Sequence, residues 1–543
     1  MALGTNRGVF ALRHSHAHRV CGIVVLLLAA FFSWIGCGSG ASQAASTSSP
    51  APPTTPTPPP TTPPGGIPAE FFGLHVLDLA DFPVQVPYGE FRNWDTEAQW
   101  PQLEPSCGAA SGSPSDPCFV WTNFDQETAD LHTAGINNIL YTLSRVPPWA
   151  SSNPSDAACN GTPTRLGECD LPTDINADGS GTNQTWRNWV TALASHANGL
   201  DDPTGTYNQT HAHVKYWEPW NEWYRDPLVS DWPGTLSVRA TYAQMLRLTE
   251  DVRCIITGKG VIHNYPSAGS STPCTQTAID PNALITTPSG AAQSQYVSVT
   301  PNFLYCNDQP FPGSNCTWGS GLNWGSQAVD IIDFHLYAIN DTPEAVVNSE
   351  LPAARALLNS TDLAKPLWDG ESSWGVLGMP NNIWNGDAYA RAGFIPRMIA
   401  LYWSTGVSQI FFYSYEGFLF QAGSFIEPEA QAWITTYNWL ADAVPAQNPF
   451  CQTGQFGFSS TVYTCPLTES SGTAALLIWD SQFGPGGTVP MNCTTSTTPL
   501  LCGSTSITVP SKYGKDWVDV GGTVHAASTS VTIGANPILL EAP

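Results

Sequence analysis

The sequence predicts a (β/α)8 barrel followed by a C-terminal β-sandwich, and three observations lead to that fold class. Apolar runs rich in Val, Ile, Phe and Tyr alternate with longer amphipathic stretches, as β-α units around a parallel sheet do. The runs are apolar throughout, which is typical of strands that are buried on both faces. From Asn448 onward the helical period disappears, and short apolar runs alternate with Gly, Ser, Thr and Pro clusters.

Eight of the apolar runs are assigned to the strands of the barrel. The predicted strands are 71–76, 90–94, 138–143, the run that ends at Glu222, 283–287, 329–337, 366–371 and 409–413. The predicted helices are 125–134, 186–197, 236–256, one that begins at Thr342, and 387–403. Thr342-Pro343-Glu344 supplies an N-cap, an N1 proline and an acidic first turn. In the sandwich, strands are predicted at 474–479, 506–509, 530–533 and 537–541.

The amino-terminal residues predict export. Residues 1–36 have the pattern of a signal peptide, with arginines before an apolar run, and the motif WIGC that ends at Cys37 resembles a bacterial lipobox. The apolar run is short for a membrane span of about 20 residues. We expect a lipid on Cys37 that would hold a secreted protein at the bacterial cell envelope. An ordinary cleaved signal peptide and an uncleaved anchor are the alternatives.

The remainder of the chain divides by composition. Residues 37–66 are almost wholly Ser, Thr, Pro, Ala and Gly, which cannot bury a core and indicate an extended tether. We expect the barrel at 67–445 and the sandwich at 446–543. The protein has 19 Lys and Arg against 44 Asp and Glu, and its net charge of −25 would repel nucleic acid and anionic lipid. A neutral substrate therefore fits better than a polyanion, and no nucleic acid partner is expected.

The cysteines are expected to form disulfides. Leaving out Cys21 and Cys37, the others fall into six couples that are close in sequence: Cys107/Cys118, Cys159/Cys169, Cys254/Cys274, Cys306/Cys316, Cys451/Cys465 and Cys493/Cys502. Their even number and the export signal favour loop-closing disulfides. Structural zinc is the alternative, but no couple has the C-x2-C spacing or the neighbouring histidine pair that such sites need.

Two glutamates stand where a barrel presents its catalytic groups. Glu222, in WEPWNEWY, and Glu371, in PLWDGESSWG, each follow an apolar run, and the carboxyl ends of barrel strands meet on one rim. A pair of carboxyl groups about 5–5.5 Å apart is what retaining glycoside hydrolysis requires. Glu218 is the nearest rival of Glu222, but it lacks the preceding Asn and would lie deeper in the strand.

Asn221-Glu222 after strand four and Glu371 after strand seven resemble the clan A glycoside hydrolases, which are retaining (β/α)8-barrel enzymes. Within the clan the chain is most similar to family 39-like enzymes, a group that includes β-xylosidases. The resemblance covers about residues 67–444. It implies that Glu222 is the acid/base and Glu371 the nucleophile, that the substrate is an oligosaccharide or polysaccharide, and that no cofactor and no metal is required.

Further positions resemble the clan. Arg92, in FRNWD, resembles the strand-two arginine that keeps the nucleophile ionised, although a surface ion pair is the alternative. His335 and Tyr337 resemble the pair that lines the sugar subsite, with Tyr337 bonded to the nucleophile; His335 could instead be a core histidine. Asn221 is similar to the residue that binds the sugar 2-hydroxyl. Tyr415 stands where the clan often has a tryptophan, which leaves the shape of the −1 subsite open.

The proposed chemistry makes different demands on the two glutamates. Glu222 lies among tryptophans, where burial and the nearby Glu371 charge would raise its pKa, whereas Arg92 and Tyr337 would hold down the pKa of Glu371. Trp149 and Trp374 are candidates for stacking on sugar rings, although most of the 21 Trp are expected in the core.

The sequence bears on three functional classes. A surface glycan-binding lipoprotein that keeps the barrel without catalysis is the alternative to a glycosidase, but binding alone needs no paired acids. Metal-dependent hydrolysis has little support, because the sequence has no HExxH motif. The C-terminal domain could be a sandwich packed on the barrel or an independent carbohydrate-binding module. The sugar, the linkage and exo or endo action depend on loops that the sequence does not specify.

Overall fold

A computed structural model describes most of the chain beyond the predicted tether. It describes residues 65–106, 112–156, 166–223, 240–265, 270–290, 293–305, 322–375, 382–526 and 528–543. These residues belong to one compact unit. The predicted leader, Cys37 and nearly all of the tether lie outside the described residues and stay predictions. Among the described helices, none combines the length and the apolar character that crossing a membrane takes.

The predicted barrel is confirmed. Its eight parallel strands are Phe72–Leu74, Glu90–Asn93, Asn138–Thr142, His213–Glu218, Leu284–Ile285, Ile332–His335, Leu367–Ser372 and Val407–Phe412, called barrel strands one to eight below. Each pairs with its neighbour in this order from strand one to strand five and from strand six to strand eight, and strand eight pairs with strand one. A bridge between Thr286 and Ile331 joins strands five and six, and the ring of strands is thereby closed.

Strand four is shorter than predicted. The strand ends at Glu218, so the prediction that it runs to Glu222 is wrong. Pro219 follows and has no backbone N–H for the ladder, which explains the early end. Glu222 therefore lies on the loop beyond the strand, and Glu218 lies in its last position.

The helices surround the barrel with caps that the sequence specifies. They are Trp100–Leu103, Thr122–Thr133, Gln184–Ala197, Tyr242–Thr257, Gln293–Tyr305, Trp324–Ala328, Pro343–Ala345, Leu351–Arg355, Ser360–Leu363, Ala388–Ser404 and Glu429–Leu440, with a π-helical turn at Val346–Glu350. Thr342 caps its helix as predicted, because its hydroxyl accepts from the backbone N–H of Ala345 at 3.3 Å. Asp387 does the same for Ala388–Ser404 through the N–H of Ala390 at 3.0 Å.

The C-terminal part forms two packed sheets. Its strands are Val444–Pro445, Gln452–Thr453, Val462–Thr468, Ala474–Asp480, Thr505–Thr508, Asp516–Val518, Val524–Ala526, Ser530–Ile533 and Ile538–Glu541. Thr505–Thr508 and Ser530–Ile533 pair only with each other, while the other strands form one antiparallel sheet. A buried cluster that includes Ile478, Ile507, Val531 and Leu540 fills the space between the two sheets.

The two ends of the barrel segment are joined by backbone hydrogen bonds. The N–H of Ile67 donates to the carbonyl of Ala443 at 2.8 Å, and the N–H of Asp442 donates to the carbonyl of Ile67 at 2.7 Å. Ile67 and Ala443 are both buried. The start of the barrel is therefore fixed beside the point where the C-terminal sheets begin.

Three of the predicted disulfides are formed: Cys254–Cys274, Cys451–Cys465 and Cys493–Cys502. Each of the other three predicted couples includes a cysteine outside the described residues. The pairing of near neighbours in sequence, which the couples predicted, is thus confirmed where both cysteines are described.

A buried carboxylate, that of Glu344, connects the barrel to the C-terminal sheet. Arg397, on the helix Ala388–Ser404, donates from Nε to Glu344 at 2.8 Å. The indole N–H of Trp479, on the C-terminal sheet, donates to the same carboxylate at 2.7 Å. Glu344 therefore depends on one partner from each domain.

We expect Arg397→Met to lower the free energy of unfolding by about 3–5 kcal/mol, because it leaves a buried carboxylate without its cation. The measurement is urea unfolding followed by tryptophan fluorescence. Lys515→Met is the matched control, since the Lys515–Glu541 pair is half-exposed and exposed pairs contribute about 1 kcal/mol or less. Equal effects of the two substitutions would contradict the assigned role of the buried pair.

Candidate active site

Arg92, the third residue of barrel strand two, lies at the centre of the site. Its side chain is fully buried, which excludes the alternative of a surface ion pair. Nη1 donates to Glu371 at 2.6 Å, Nη2 donates to the Asn221 side-chain oxygen at 2.8 Å, and Nε donates to Glu218 at 3.0 Å. One guanidinium thus fixes groups from strand four, the loop beyond it and strand seven.

Glu371 has a partner on each of its carboxylate oxygens. Oε1 accepts from Arg92, and Oε2 accepts from the hydroxyl of Tyr337 at 2.8 Å. The residue lies in barrel strand seven and is 4% exposed. The strand and these two hydrogen bonds therefore set the orientation of the Glu371 side chain and leave it little freedom to rotate.

Glu222 lies on the loop after strand four with a left-handed backbone, at φ 45°. Its N–H donates to the hydroxyl of Ser289 at 3.2 Å. Its Oε1 lies 3.0 Å from Nδ1 of His335. A carboxylate oxygen of Glu222 and one of Glu371 lie within 4.8 Å of each other, so the loop brings the two carboxyl groups together.

His335 lies between the two glutamates. Its Nδ1 is 3.0 Å from Glu222 and 3.5 Å from Glu371. Burial lowers the pKa of His335 to about 4, against the opposing effect of the Glu371 charge. The imidazole is therefore neutral near pH 7, and with its proton on Nδ1 it can donate to either carboxylate.

Backbone strain is concentrated at the same rim. Asp95, Arg145 and Glu222 follow barrel strands two, three and four, and each has a positive φ although none is glycine. Such conformations cost of order 1–3 kcal/mol each and persist where surrounding contacts impose them. Here Arg145 pairs with Asp95 and lies 5.2 Å from the ring of Trp94. Strain of this kind is common at functional sites.

The carboxyl groups of Glu222 and Glu371 have different electrostatic environments. Burial raises the pKa of Glu222 to about 7, with Arg92 opposing and the Glu218 charge adding to the rise. Burial also raises the pKa of Glu371, but there His335 and Arg92 both favour the ionised form. The prediction that Arg92 and Tyr337 hold the pKa of Glu371 down is wrong: Arg92 does lower it, but burial outweighs this effect and the pKa is raised. Of the two, Glu371 is better supplied with groups that stabilise a negative charge.

Six of the predicted site residues meet at this rim. They are Arg92, Asn221, Glu222, His335, Tyr337 and Glu371. His335 is buried, as a core histidine would be, but its ring contacts both glutamates.

Three other predicted residues lie elsewhere. Trp374 is buried against Phe394 and Phe412. Tyr415 is buried, and its hydroxyl accepts from the N–H of Gln85 at 3.4 Å. Trp149 is half-buried, with its indole N–H bonded to the carbonyl of Glu104 at 2.9 Å.

Tyr413 belongs to the site although sequence reasoning missed it. It directly follows barrel strand eight, and its ring packs against His75 at 5.1 Å. Burial raises its pKa, and the charges of Glu371 and Glu222 add to the rise. The sequence predicted that strand eight ends at Tyr413. Residues at the carboxyl ends of barrel strands lie on the active-site rim, so this position was the signal from which Tyr413 could have been found.

Glu218 has a positioning role that the sequence did not indicate. It accepts from Arg92 and, at 2.7 Å, from the hydroxyl of Thr142. Glu218 is the last residue of strand four and lies deeper than Glu222, as expected of a rival of Glu222. The Glu218 carboxylate lies below the rim and balances the positive charge of the Arg92 guanidinium.

Two groups of side chains at this rim have the spacing of metal ligands. Glu222, His335 and Glu371 form one, and Glu218, Asp333 and His335 form the other. Arg92 is bonded to a carboxylate in each group. Its fixed positive charge already satisfies these oxygens and would repel a cation, so the donor sets do not fit a metal well.

No family model matches the chain, and no curated protein matches its sequence. Among solved structures it is similar to a glucosidase from Croceicoccus marinus, at 14% identity and a TM-score of 0.49 over 88% of this chain and 96% of that one. It is also similar to the catalytic domain of glycoside hydrolase family 30 xylanase C from Talaromyces cellulolyticus, at 11% identity and a TM-score of 0.47 over 89% and 98%. A third is the family 51 arabinofuranosidase from Xanthomonas axonopodis pv. citri, at 9% identity and 0.45 over 90% and 98%. At these identities the likeness extends to the fold alone.

The raised pKa of Glu222 predicts a pH-dependent cost to folding. Because the folded chain holds this proton up to a pKa of about 7 and the unfolded chain only to about 4.5, the cost grows as pH rises between these values. At about pH 8 we expect Glu222→Gln to raise the free energy of unfolding by roughly 2–3 kcal/mol, and at about pH 4 to change it little. Denaturant unfolding at both pH values measures this. The exposed Glu97, as Glu97→Gln, is the control, and a Glu222→Gln effect that is the same at both pH values would contradict the prediction.

Proposed function

We propose that this protein is a retaining glycoside hydrolase that cleaves glycosidic bonds of neutral plant-type or microbial-type glycans, in the manner of β-xylosidases and related enzymes. The observation that carries the proposal is the separation of the two carboxyl groups. One oxygen of Glu222 and one of Glu371 lie within 4.8 Å of each other, and Nδ1 of His335 lies 3.0 Å from the first carboxylate and 3.5 Å from the second, so the two groups are close neighbours. Carboxyl groups are about 5–5.5 Å apart in retaining enzymes and about 6.5–9.5 Å apart in inverting ones, because the latter must leave room for water.

Glu371 is the nucleophile in this proposal. It is held on both oxygens by Arg92 and Tyr337, which keep it oriented and favour its ionised form. It attacks the anomeric carbon and forms a covalent glycosyl-enzyme, while the bond to the leaving oxygen breaks. Arg92 is itself restrained by Glu218, so the nucleophile is fixed through a buried network.

Glu222 is the acid/base. A carboxyl group with a pKa of about 7 holds its proton near neutral pH and can give it to the departing oxygen. In the second step the same carboxylate removes a proton from water, which attacks the anomeric carbon and releases Glu371. His335, neutral and bonded to Glu222, keeps this carboxyl group turned toward the nucleophile.

Asn221 is suited to hold the sugar. Its side-chain oxygen accepts from Arg92, and its amide nitrogen makes no hydrogen bond within the described residues. That nitrogen can donate to a sugar 2-hydroxyl, a contact that strengthens in the transition state. The net charge of −25 also favours a neutral glycan over an acidic one.

Removal of each carboxyl group is expected to give a different kinetic result on dinitrophenyl glycosides. This leaving group departs without protonation, so Glu222→Ala should release a rapid burst of dinitrophenolate and then turn over slowly, because the base for the second step is missing. Glu371→Ala should show no burst, since the bond-forming group is gone. Stopped-flow absorbance on a panel of β-xyloside, glucoside, galactoside, mannoside and α-arabinofuranoside measures both and identifies the sugar.

Glu97→Ala, on the surface, is the control for these variants and should behave as the parent protein. Product of the inverted anomeric configuration, seen by NMR immediately after cleavage, would contradict the retaining mechanism. Parent-level turnover in either glutamate variant would overturn the role of that residue. Folded parent protein that cleaves neither these glycosides nor neutral polysaccharides would favour the non-catalytic glycan-binding alternative.

The pH dependence of kcat/KM on a substrate with a poor leaving group should show an alkaline fall near pH 7. The reason is that Glu222, with a pKa of about 7, loses the proton that the leaving oxygen requires. The fall should be absent from the burst of Glu222→Ala on the dinitrophenyl substrate. An alkaline fall that persists unchanged in that variant would assign it to another group.

A further inference from the structure

A groove of about 760 Å³ lies in the C-terminal domain, on residues that take no part in the carboxylate site. It lies between the turn at Gln455–Gly457 and the strand Thr505–Thr508, and the segment after that strand extends it as far as Ser511. The lining consists of aromatic, aliphatic, hydroxyl and glycine residues, without a charged side chain among those described. The character of this groove therefore differs from that of the acidic surface as a whole.

Phe456 stands at the edge of the groove in an unfavourable conformation. Its side chain is 51% exposed, and its backbone has φ 55° and ψ 18°. A bulky residue in the left-handed region is strained, and an exposed ring gains nothing from burial in the core. The sequence thus places a phenylalanine where glycine or asparagine would cost less.

The turn that presents Phe456 is held by its neighbours. The side chain of Gln455 donates to Gln447 at 3.0 Å and accepts from the hydroxyl of Thr464 at 2.9 Å. The N–H of Phe458 donates to the carbonyl of Gln455 at 2.9 Å. The fold therefore fixes the backbone of the turn that carries the exposed ring, and ordering this turn costs little when a ligand binds.

Free hydroxyl groups line the same groove. Ser506 and Thr508 are exposed and alternate with the buried Ile507, so they share one face of the strand. Ser511 is also exposed. Within the described residues, the side chains of these three make no hydrogen bond, so their hydroxyls are available to a ligand.

We propose that this groove binds a neutral glycan chain at a second site, separate from the carboxylate pair. A flat aromatic ring packs against the C–H face of a sugar, and hydroxyls pair with sugar hydroxyls. The uncharged lining fits a neutral chain and offers no partner for an acidic one. The choice of ligand rests on the proposed function, because a hydrolase of such chains meets them as substrate. An added peptide strand is the other occupant that the two-stranded sheet could take, but it would not require an exposed ring at the edge.

The test is affinity electrophoresis of the full chain carrying Glu371→Ala, with arabinoxylan, xyloglucan or mixed-linkage β-glucan in the gel. Phe456→Gly removes the ring and suits the positive φ, so we expect an unchanged or higher Tm. We expect this variant to bind at least one neutral probe about tenfold more weakly. Thr508→Val should weaken binding to the same probe. Val524 is an exposed apolar residue outside the groove lining. Val524→Ala is therefore the matched control, and it should bind as strongly as the parent, which here is the chain with Glu371→Ala alone.

The two proposals fail in distinguishable ways. Aryl glycoside hydrolysis is measured with Glu371 intact and should not change on Phe456→Gly. Binding that depends on Phe456 without any hydrolysis would keep the second site and overturn the proposed function. Hydrolysis together with binding that is equal in Phe456→Gly and the parent would overturn the second site. Failure of the parent to bind any neutral probe, or binding of polygalacturonate as strong as that of the neutral probes, would also overturn it.

Discussion

The guanidinium of Arg92 is the constraint on which the site depends. It is fully buried, and it joins Glu218 at the end of strand four to Glu371 in strand seven. Removing an ion from water costs several kcal/mol, so a buried cation is stable only where carboxylates and hydrogen bonds compensate it. Burial also raises the pKa of the neighbouring Asp333, which favours its neutral form and limits the negative charge around Arg92. The geometry of the two rim glutamates is a consequence of this charge balance.

Strain and burial act on the same few residues. Glu222 has a left-handed backbone and a raised pKa, and both features oppose folding. Closure of the barrel and the contacts with Ser289 and His335 compensate them. The arrangement has the form of a site in which stability is reduced locally so that two carboxyl groups are held side by side.

The barrel and the inward-facing residues of its strands could be predicted because apolar runs fix the strands. Arg92, His335 and Glu371 lie within strands, so the alternation of side chains decides their direction. Beyond the strand ends this rule no longer holds. Tyr413 and Tyr415 are two residues apart, yet loop conformation alone packs the first against His75 and turns the second toward Gln85. The burial of Trp374 and the exposure of Phe456 likewise depend on packing partners that are distant in sequence.

The joined ends of the barrel segment determine which way the site faces. Ile67 precedes strand one and is bonded to Ala443, so the chain enters at the amino ends of the strands. Glu222 and Glu371 lie at the opposite, carboxyl ends. A ligand that reaches the two glutamates would therefore approach from the end of the barrel opposite to Ile67 and Ala443.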